Sequence, residues 1–231
     1  MLIRESEWIG SHMAAIPDED LFPLLNVGSS TKDFRTRTQP HIDANVFAPL
    51  RARGGKVWHL DIKAAEGVDL VGDLLDPSFR AAFRRLACRS ILVSNLFEHV
   101  TDRMAVANSL LDVLPAGGYL IVTGPHAFAF HADPIDTMFR PTAEEMAAYF
   151  PGTDLVHTAM INAGNWRQWD RAERGNVPVW RMLVRLATPF YRPRSWLATA
   201  RYAPYLVKNS TAFAMVLRRP PAGCASDPVP R

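Results

Sequence analysis

The sequence predicts an α/β fold, a mostly parallel sheet covered by helices on both faces, and three observations lead to it. Between residues 21 and 125 five apolar runs follow one another, and each ends in a small or polar residue. They are Leu24-Leu25-Asn26-Val27-Gly28, Val57-Trp58-His59-Leu60-Asp61, Val68-Asp69-Leu70-Val71-Gly72, Ser90-Ile91-Leu92-Val93-Ser94-Asn95 and Tyr119-Leu120-Ile121-Val122-Thr123. The segments between several of them carry apolar residues at helical spacing, the alternation expected of strand–helix units. Finally, 231 residues with 48% hydrophobic and 21% charged content suit one substantial core. In doubly wound sheets the C-terminal strand edge is where ligands bind, so the residues closing each run are the first candidates for a site.

The elements follow in order. Residues 1–20 read as a leader with room for a short helix; Gly10-Ser11-His12-Met13 within it matches a common expression-vector scar and is given no function. The first strand spans 23–28. Residues 41–52 form the first covering helix, with Ile42, Val46, Phe47 and Leu50 on one face, ended by Gly54-Gly55. The second strand is 56–61 and the third lies near 68–72. Asp76-Pro77 reads as an N-cap with proline at the first helical position, opening a helix with Phe79, Ala82, Phe83 and Leu86 inward. The fourth strand is 90–95. Asp102 caps a helix through Leu114, and Pro115-Ala116-Gly117-Gly118 turns into the fifth strand, 119–124. Residues 125–131 form a loop rich in aromatics and histidine. Thr142-x-x-Glu145 is a capping box, and 155–161 is the sixth strand. The segment 165–206 reads as an insertion broken at Pro178, Pro189, Pro193 and Pro204. The domain spans 21–219, and 220–231 is a tail with little to bury.

Charge and cysteine usage narrow the setting. The net charge is +3, yet residues 165–219 alone carry +9 and four of the six tryptophans. A basic, aromatic surface suits an anionic substrate, a membrane face or nucleic acid, or is a set of solvated arginines over a packed aromatic cluster. Cys88 and Cys224 have no metal-ligand spacing, and a reducing compartment follows. No apolar run approaches the length of a membrane span, and the N-terminus carries acids where a signal peptide would be apolar. The expected location is cytoplasmic, with peripheral contact at the inner membrane open through 165–206.

The order of these strands and the run Asn95-Leu96-Phe97-Glu98-His99-Val100 resemble the class I S-adenosyl-L-methionine (SAM) dependent methyltransferases over roughly the first two thirds of the chain. The segment 131–142 resembles one found after the fifth strand in bacterial, type 11-like members linked to saccharides and the cell envelope. The resemblance implies a Rossmann-like, seven-stranded, mostly parallel sheet, with residues 211–217 as an antiparallel seventh strand. It implies SAM as cofactor, held by Asn26, Gly28, Ser29 and Ser30 at the first turn, Asp61 and Ile62 after the second strand, Asp73 and Leu74 after the third, and Asn95 after the fourth. Gly28 lets the backbone approach the methionine part. Asp61 accepts from the ribose hydroxyls, 33 residues after Gly28 against about 20 in a dinucleotide site. Asp73 accepts from the adenine amine and Leu74 covers the ring. The chain departs from the family at the first turn, where Asn26 replaces a common acid and Ser29, Ser30 and Lys32 stand where glycines often lie. A nicotinamide site is disfavoured because no Gly-x-Gly-x-x-Gly follows the first strand.

The placement of the segments after the fourth and fifth strands nominates the catalytic residues. Glu98 and His99 open the next helix near the reacting methyl group. His131 is the expected base for an alcohol acceptor, because imidazole titrates near neutrality. Asp133 or Asp136 orients that ring or binds acceptor hydroxyls. Arg140 pairs with one of these acids or grips an anionic group, and His126 is a further substrate contact and reserve base. His41 and His59 read as structural. No metal site is expected from the spacing. The expected acceptor is a hydroxyl on a saccharide or glycolipid intermediate, which implies a role in saccharide biosynthesis. A small metabolite or lipid headgroup is the alternative, and a methyltransferase-like binding module without catalysis is a third reading. Nucleic acid is disfavoured for want of an RNA-binding motif, and the oligomeric state is left open.

Overall fold

The computed structural model describes residues 1–131, 135–165 and 203–223, with isolated positions (184, 186–188, 190, 196, 197 and 200) between. Asp133 and nearly all of the basic insertion lie outside the described residues. A single seven-stranded sheet organises the chain: β1 (Leu24–Val27), β2 (Val57–Asp61), β3 (Leu70–Val71), β4 (Ser90–Ser94), β5 (Tyr119–Ala127), β6 (Asp154–Gly164) and β7 (Ser210–Arg218), in the order β3-β2-β1-β4-β5-β7-β6. Strands β1 to β5 pair in parallel, and β7 runs antiparallel between β5 and β6. The chain reverses across the sheet between β1 and β4, which makes that crevice the switch point of the fold.

Alternation along the strands feeds two cores. Leu25, Val27, Ile91, Val93, Leu120 and Val122 face one side, under Phe83 of α5 (Pro77–Arg85), Val106 and Leu110 of α6 (Arg103–Val113) and Met146 of α7 (Ala143–Ala147). Leu24, Leu92, Ile121 and Val216 face the other, against α1 (Ile3–Ala14) and residues 34–52. The caps form as the sequence indicates. Asp76 accepts from the Ser78 N–H at 2.9 Å, and Asp102 from the Ala105 N–H at 2.9 Å. Thr142 and Glu145 exchange the two bonds of a capping box.

Three differences bear on the site. Residues 1–20 are not separable from the domain: Ile9, Met13 and Ile16 are core residues, α2 (Asp18–Leu21) leads straight into the sheet, and Gly10 lies so close to the Asn45 carbonyl that a Cβ would stand 2.1 Å from its oxygen. The covering helix expected at 41–52 starts earlier and is broken. Two π turns, Phe34–Thr38 and Asp43–Phe47, bracket α3 (Pro40–Ile42) and lead to α4 (Ala48–Ala52). Pro40 has no N–H and forces Gln39 out of the helical region (φ −130°), so a regular helix cannot run through. Third, β5 continues to Ala127, so His126 lies within a strand and not after it. Pro125 is tolerated there because β4 ends opposite Thr123, leaving only β7 alongside, with an irregular register.

Candidate active site

A cavity of about 820 Å³ opens along the C-terminal edge of β1, β2 and β4, within the ordinary range of ligand pockets, about 300–1,000 Å³. Asn26, Gly28, Ser29, Ser30, Asp61, Ile62, Asp73, Leu74 and Asn95 all line it, as do His99 and His131. Two positions there hold side chains in the left-handed region, Ser30 (φ +54°) and Asn95 (φ +52°). Such conformations cost energy and persist where the surroundings impose them, commonly at sites.

The first turn is built from several directions. Gly28 takes φ +69°, and a Cβ on it would sit 3.2 Å from Leu96. The Ser30 N–H donates to Asp61 Oδ2 at 2.8 Å, while the Lys63 N–H donates to Oδ1 at 3.0 Å. Arg35, carried by the first π turn, is buried and donates to the Ser29, Ser30 and Gly67 carbonyls at 2.7 Å each. Burial lowers its pKa, with Asp69, Asp43 and Asp61 opposing. Asn26 donates from Nδ2 to His59 Nδ1 at 3.0 Å, which requires a neutral ring. Burial, then the Arg35 charge, pushes His59 down to about 4.

The far side of the edge is held by a residue that sequence reading overlooked. Glu5 of α1 is fully buried and accepts from Thr123 Oγ1 (2.6 Å), Asn95 Nδ2 (2.8 Å), Leu2 N–H (2.9 Å) and Ser94 Oγ (3.3 Å). The ends of β4 and β5 are thus tied to the N-terminal helix. The only sequence signal was an acid near the start of an apolar-periodic segment.

Beyond Asn95 the chain makes a 3-10 turn, Phe97–His99, separate from α6, so Glu98 and His99 do not open that helix as expected. The following loop is pinned to this turn: Thr137 donates its N–H and hydroxyl to the Glu98 carbonyl at 2.9 and 3.0 Å. Asp136 holds the loop from within. It accepts from the His131 N–H, from the Met138 N–H and from both Arg140 Nη atoms. Burial alone would raise the Asp136 carboxyl, but these donors outweigh it and hold it at about 2. Asp136 Oδ2 also lies 3.4 Å from His131 Nδ1. Arg140 spends its guanidinium on Asp136 and on backbone carbonyls of the loop and does not line the cavity. Of the two roles open to it, the geometry favours holding the loop. His126 does not line the cavity either; its Nδ1 meets the Pro141 carbonyl at 2.9 Å.

Glu98 is the other group the sequence undervalued. Its side chain is 1% exposed, burial pushes its carboxyl up to about 7, and Oε1 has no hydrogen-bond partner among the described residues. That oxygen lies 3.7 Å from His99 Nε2 and 4.0 Å from His131 Nε2. The His131 pKa is lowered, chiefly by burial. Spacing along the chain gave no metal motif, yet folding brings Glu98, His99 and His131 together.

The donor set at the sheet edge fits SAM. Gly28 leaves room against Leu96, and each Asp61 oxygen accepts one backbone N–H and retains capacity for a hydroxyl. Asp73, bonded at one oxygen to the Leu75 N–H, can accept from an amine.

No protein-family model and no curated protein sequence matches the chain. Solved structures do. A putative sarcosine dimethylglycine methyltransferase from Galdieria sulphuraria aligns over 94% of this chain and 86% of its own, with TM-score 0.51 and 14% identity. A SAM-dependent methyltransferase from Anabaena variabilis aligns over 91% and 82%, with TM-score 0.51 and 12% identity. Coclaurine N-methyltransferase, bound to N-methylheliamine and S-adenosylhomocysteine (SAH), aligns over 92% and 71%, with TM-score 0.50 and 14% identity. At such identities the likeness establishes architecture: the chain has the Rossmann-like fold of class I SAM-dependent methyltransferases.

Proposed function

We propose that the protein is a SAM-dependent methyltransferase whose acceptor is a hydroxyl on a saccharide or glycolipid intermediate. The observation that carries the reading is the cavity, which joins cofactor-type groups (Gly28, Asp61, Asp73, Asn95) to a proton-accepting cluster (His99, His131) along one edge. When bound, SAM supplies an electrophilic methyl group on a sulfonium. Asp61 would hold the ribose and Asp73 the adenine, and Asn95, fixed by Glu5, would meet the methionine part.

An alcohol gains from a base as its proton leaves, and His131 is suited to that task. Its Nδ1 faces Asp136 and the Ala129 carbonyl, both acceptors, so Nδ1 keeps its hydrogen and Nε2 offers the lone pair. Asp136, itself held by Arg140, orients the ring. With SAM bound, the methyl group would pass to the acceptor oxygen as its bond to sulfur breaks and SAH leaves, and His131 Nε2 would take the hydroxyl proton. The saccharide assignment rests on the resemblance of residues 131–142, and the basic segment 165–206 suits an anionic acceptor or a peripheral membrane contact. No helix among the described residues is long and apolar enough to cross a membrane.

An amine or lipid-headgroup acceptor is the second reading. It is supported by the names of structural neighbours, which include a phosphoethanolamine N-methyltransferase of Haemonchus contortus, of whose length this chain spans 52%. Turnover against a panel of sugar, amine and headgroup acceptors separates the two. His131→Ala should lower turnover by about 10²–10⁴ and leave SAH affinity unchanged. Near wild-type turnover removes His131 as base. Turnover of amines alone replaces the hydroxyl reading with the second.

A further inference from the structure

Hydrogen positions define the chemistry of the Glu98 cluster. His99 Nδ1 meets the Ile135 carbonyl, and His131 Nδ1 meets the Asp136 carboxylate and the Ala129 carbonyl. Every one of these partners accepts, so each ring carries its hydrogen at Nδ1, and in the neutral form both Nε2 atoms present lone pairs. Glu98 Oε1, buried and without a hydrogen-bond partner among the described residues, completes the set, and the ligand atoms all lie within 4.8 Å of one another. Three lone pairs turned on one point repel unless a proton or a cation stands between them.

We propose that Glu98, His99 and His131 bind a divalent transition-metal ion of the zinc or ferrous class. Two imidazoles and one carboxylate are a donor set those ions take with positions left open, whereas magnesium and calcium prefer oxygen alone. The outer partners also match: Asp136 and the Ile135 carbonyl fix the two tautomers, as such acceptors do for metal-bound histidines, and Arg140 holds Asp136 in turn. With metal–ligand bonds of about 2.1 Å, donors of a tetrahedral site stand about 3.4 Å apart. The separations from Glu98 Oε1, 3.7 and 4.0 Å, lie about half an ångström above that, and all three ligand atoms lie within 4.8 Å of one another. Two of the three ligands, His99 and His131, line the cavity.

Binding of the ion is independent of the methyltransferase reading; only its use rests on that reading. An acceptor oxygen on an open position would release its proton to water near neutral pH. His131 would then serve as ligand and not as base, so the two roles are alternative uses of one lone pair, decided by whether the ion is bound.

The test is titration of tag-free, chelator-stripped full-length protein with Zn²⁺ and separately Co²⁺, followed by calorimetry and, for cobalt, visible absorption. The expected result is saturable binding of one ion per chain, lost in Glu98→Gln and in His99→Ala, and weakened about 10–100-fold in Asp136→Asn. Unchanged SAH affinity in Glu98→Gln shows that the variant is folded. Absence of saturable binding by the wild type, or binding unaltered in a folded Glu98→Gln, overturns the proposal. Intact SAH binding alongside either result leaves the methyltransferase reading in place, whereas loss of SAH binding by the wild type strikes that reading alone.

Discussion

The acid lost from the first turn is replaced by a different pairing. Asn26 stands where the resembled family commonly has a carboxylate, and it donates to a neutral His59. That ring is surrounded by Arg35 from the first π turn, Arg51 from α4, Lys56 just before its own strand and Asp69 just before β3. The cations and burial keep it uncharged, and the linkage has a definite sign. The folded pKa, about 4, lies below the unfolded value, 6.5. Above the unfolded value neither state is protonated and nothing is lost; as pH falls from there towards about 4, the unfolded chain takes up a proton that the native ring refuses. At pH 5 this amounts to about 2 kcal/mol of lost stability. Urea midpoints at about pH 7.5 and pH 5 check it: the wild type should lose more than His59→Gln between the two. Equal losses would mean that His59 is protonated in the native protein. From sequence His59 read only as structural, because Arg35 and Arg51 reach it from other elements of the fold.

Among the elements, α1 is the one whose place was least visible. Its apolar residues Ile9 and Met13 are spaced for a helix, but nothing local shows that Glu5 reaches the ends of β4 and β5. Glu5→Ala removes the carboxylate from Thr123, Asn95 and Leu2, of which Thr123 and Asn95 keep Ser94 Oγ as an acceptor, and should destabilise the protein by roughly 1–3 kcal/mol. The readout is the urea midpoint; an unchanged midpoint would mean that α1 is held by its apolar face alone. The strands, by contrast, were legible. Alternation and the polar residue closing each run marked β1, β2 and β4 to within a residue or two, and the caps Asp76, Asp102 and Thr142 marked three helices. Legibility failed at two places. Pro125 read as the end of β5 although the chain had already passed β4, and the covering helix was expected only from residue 41, past the π turn that carries Arg35 into the site.

For the molecule as a whole, the cofactor edge and the proton-accepting cluster were legible to different degrees. Strand ends deliver Gly28, Asp61, Asp73 and Asn95 to one edge by topology alone, so a reading of strand order finds them. The Glu98, His99 and His131 convergence depends on a loop fold fixed by Thr137 and Asp136, and no spacing along the chain encodes it. The central claim is that this edge binds SAM, and calorimetric titration with SAH of the wild type and Asp61→Ala tests it most directly. The account predicts saturable binding by the wild type and about ten- to a hundredfold weaker binding by the variant, because a hydrogen bond to a charged group is worth about 1.5–3 kcal/mol. No binding by the folded wild type, or equal affinity in both proteins, would contradict it.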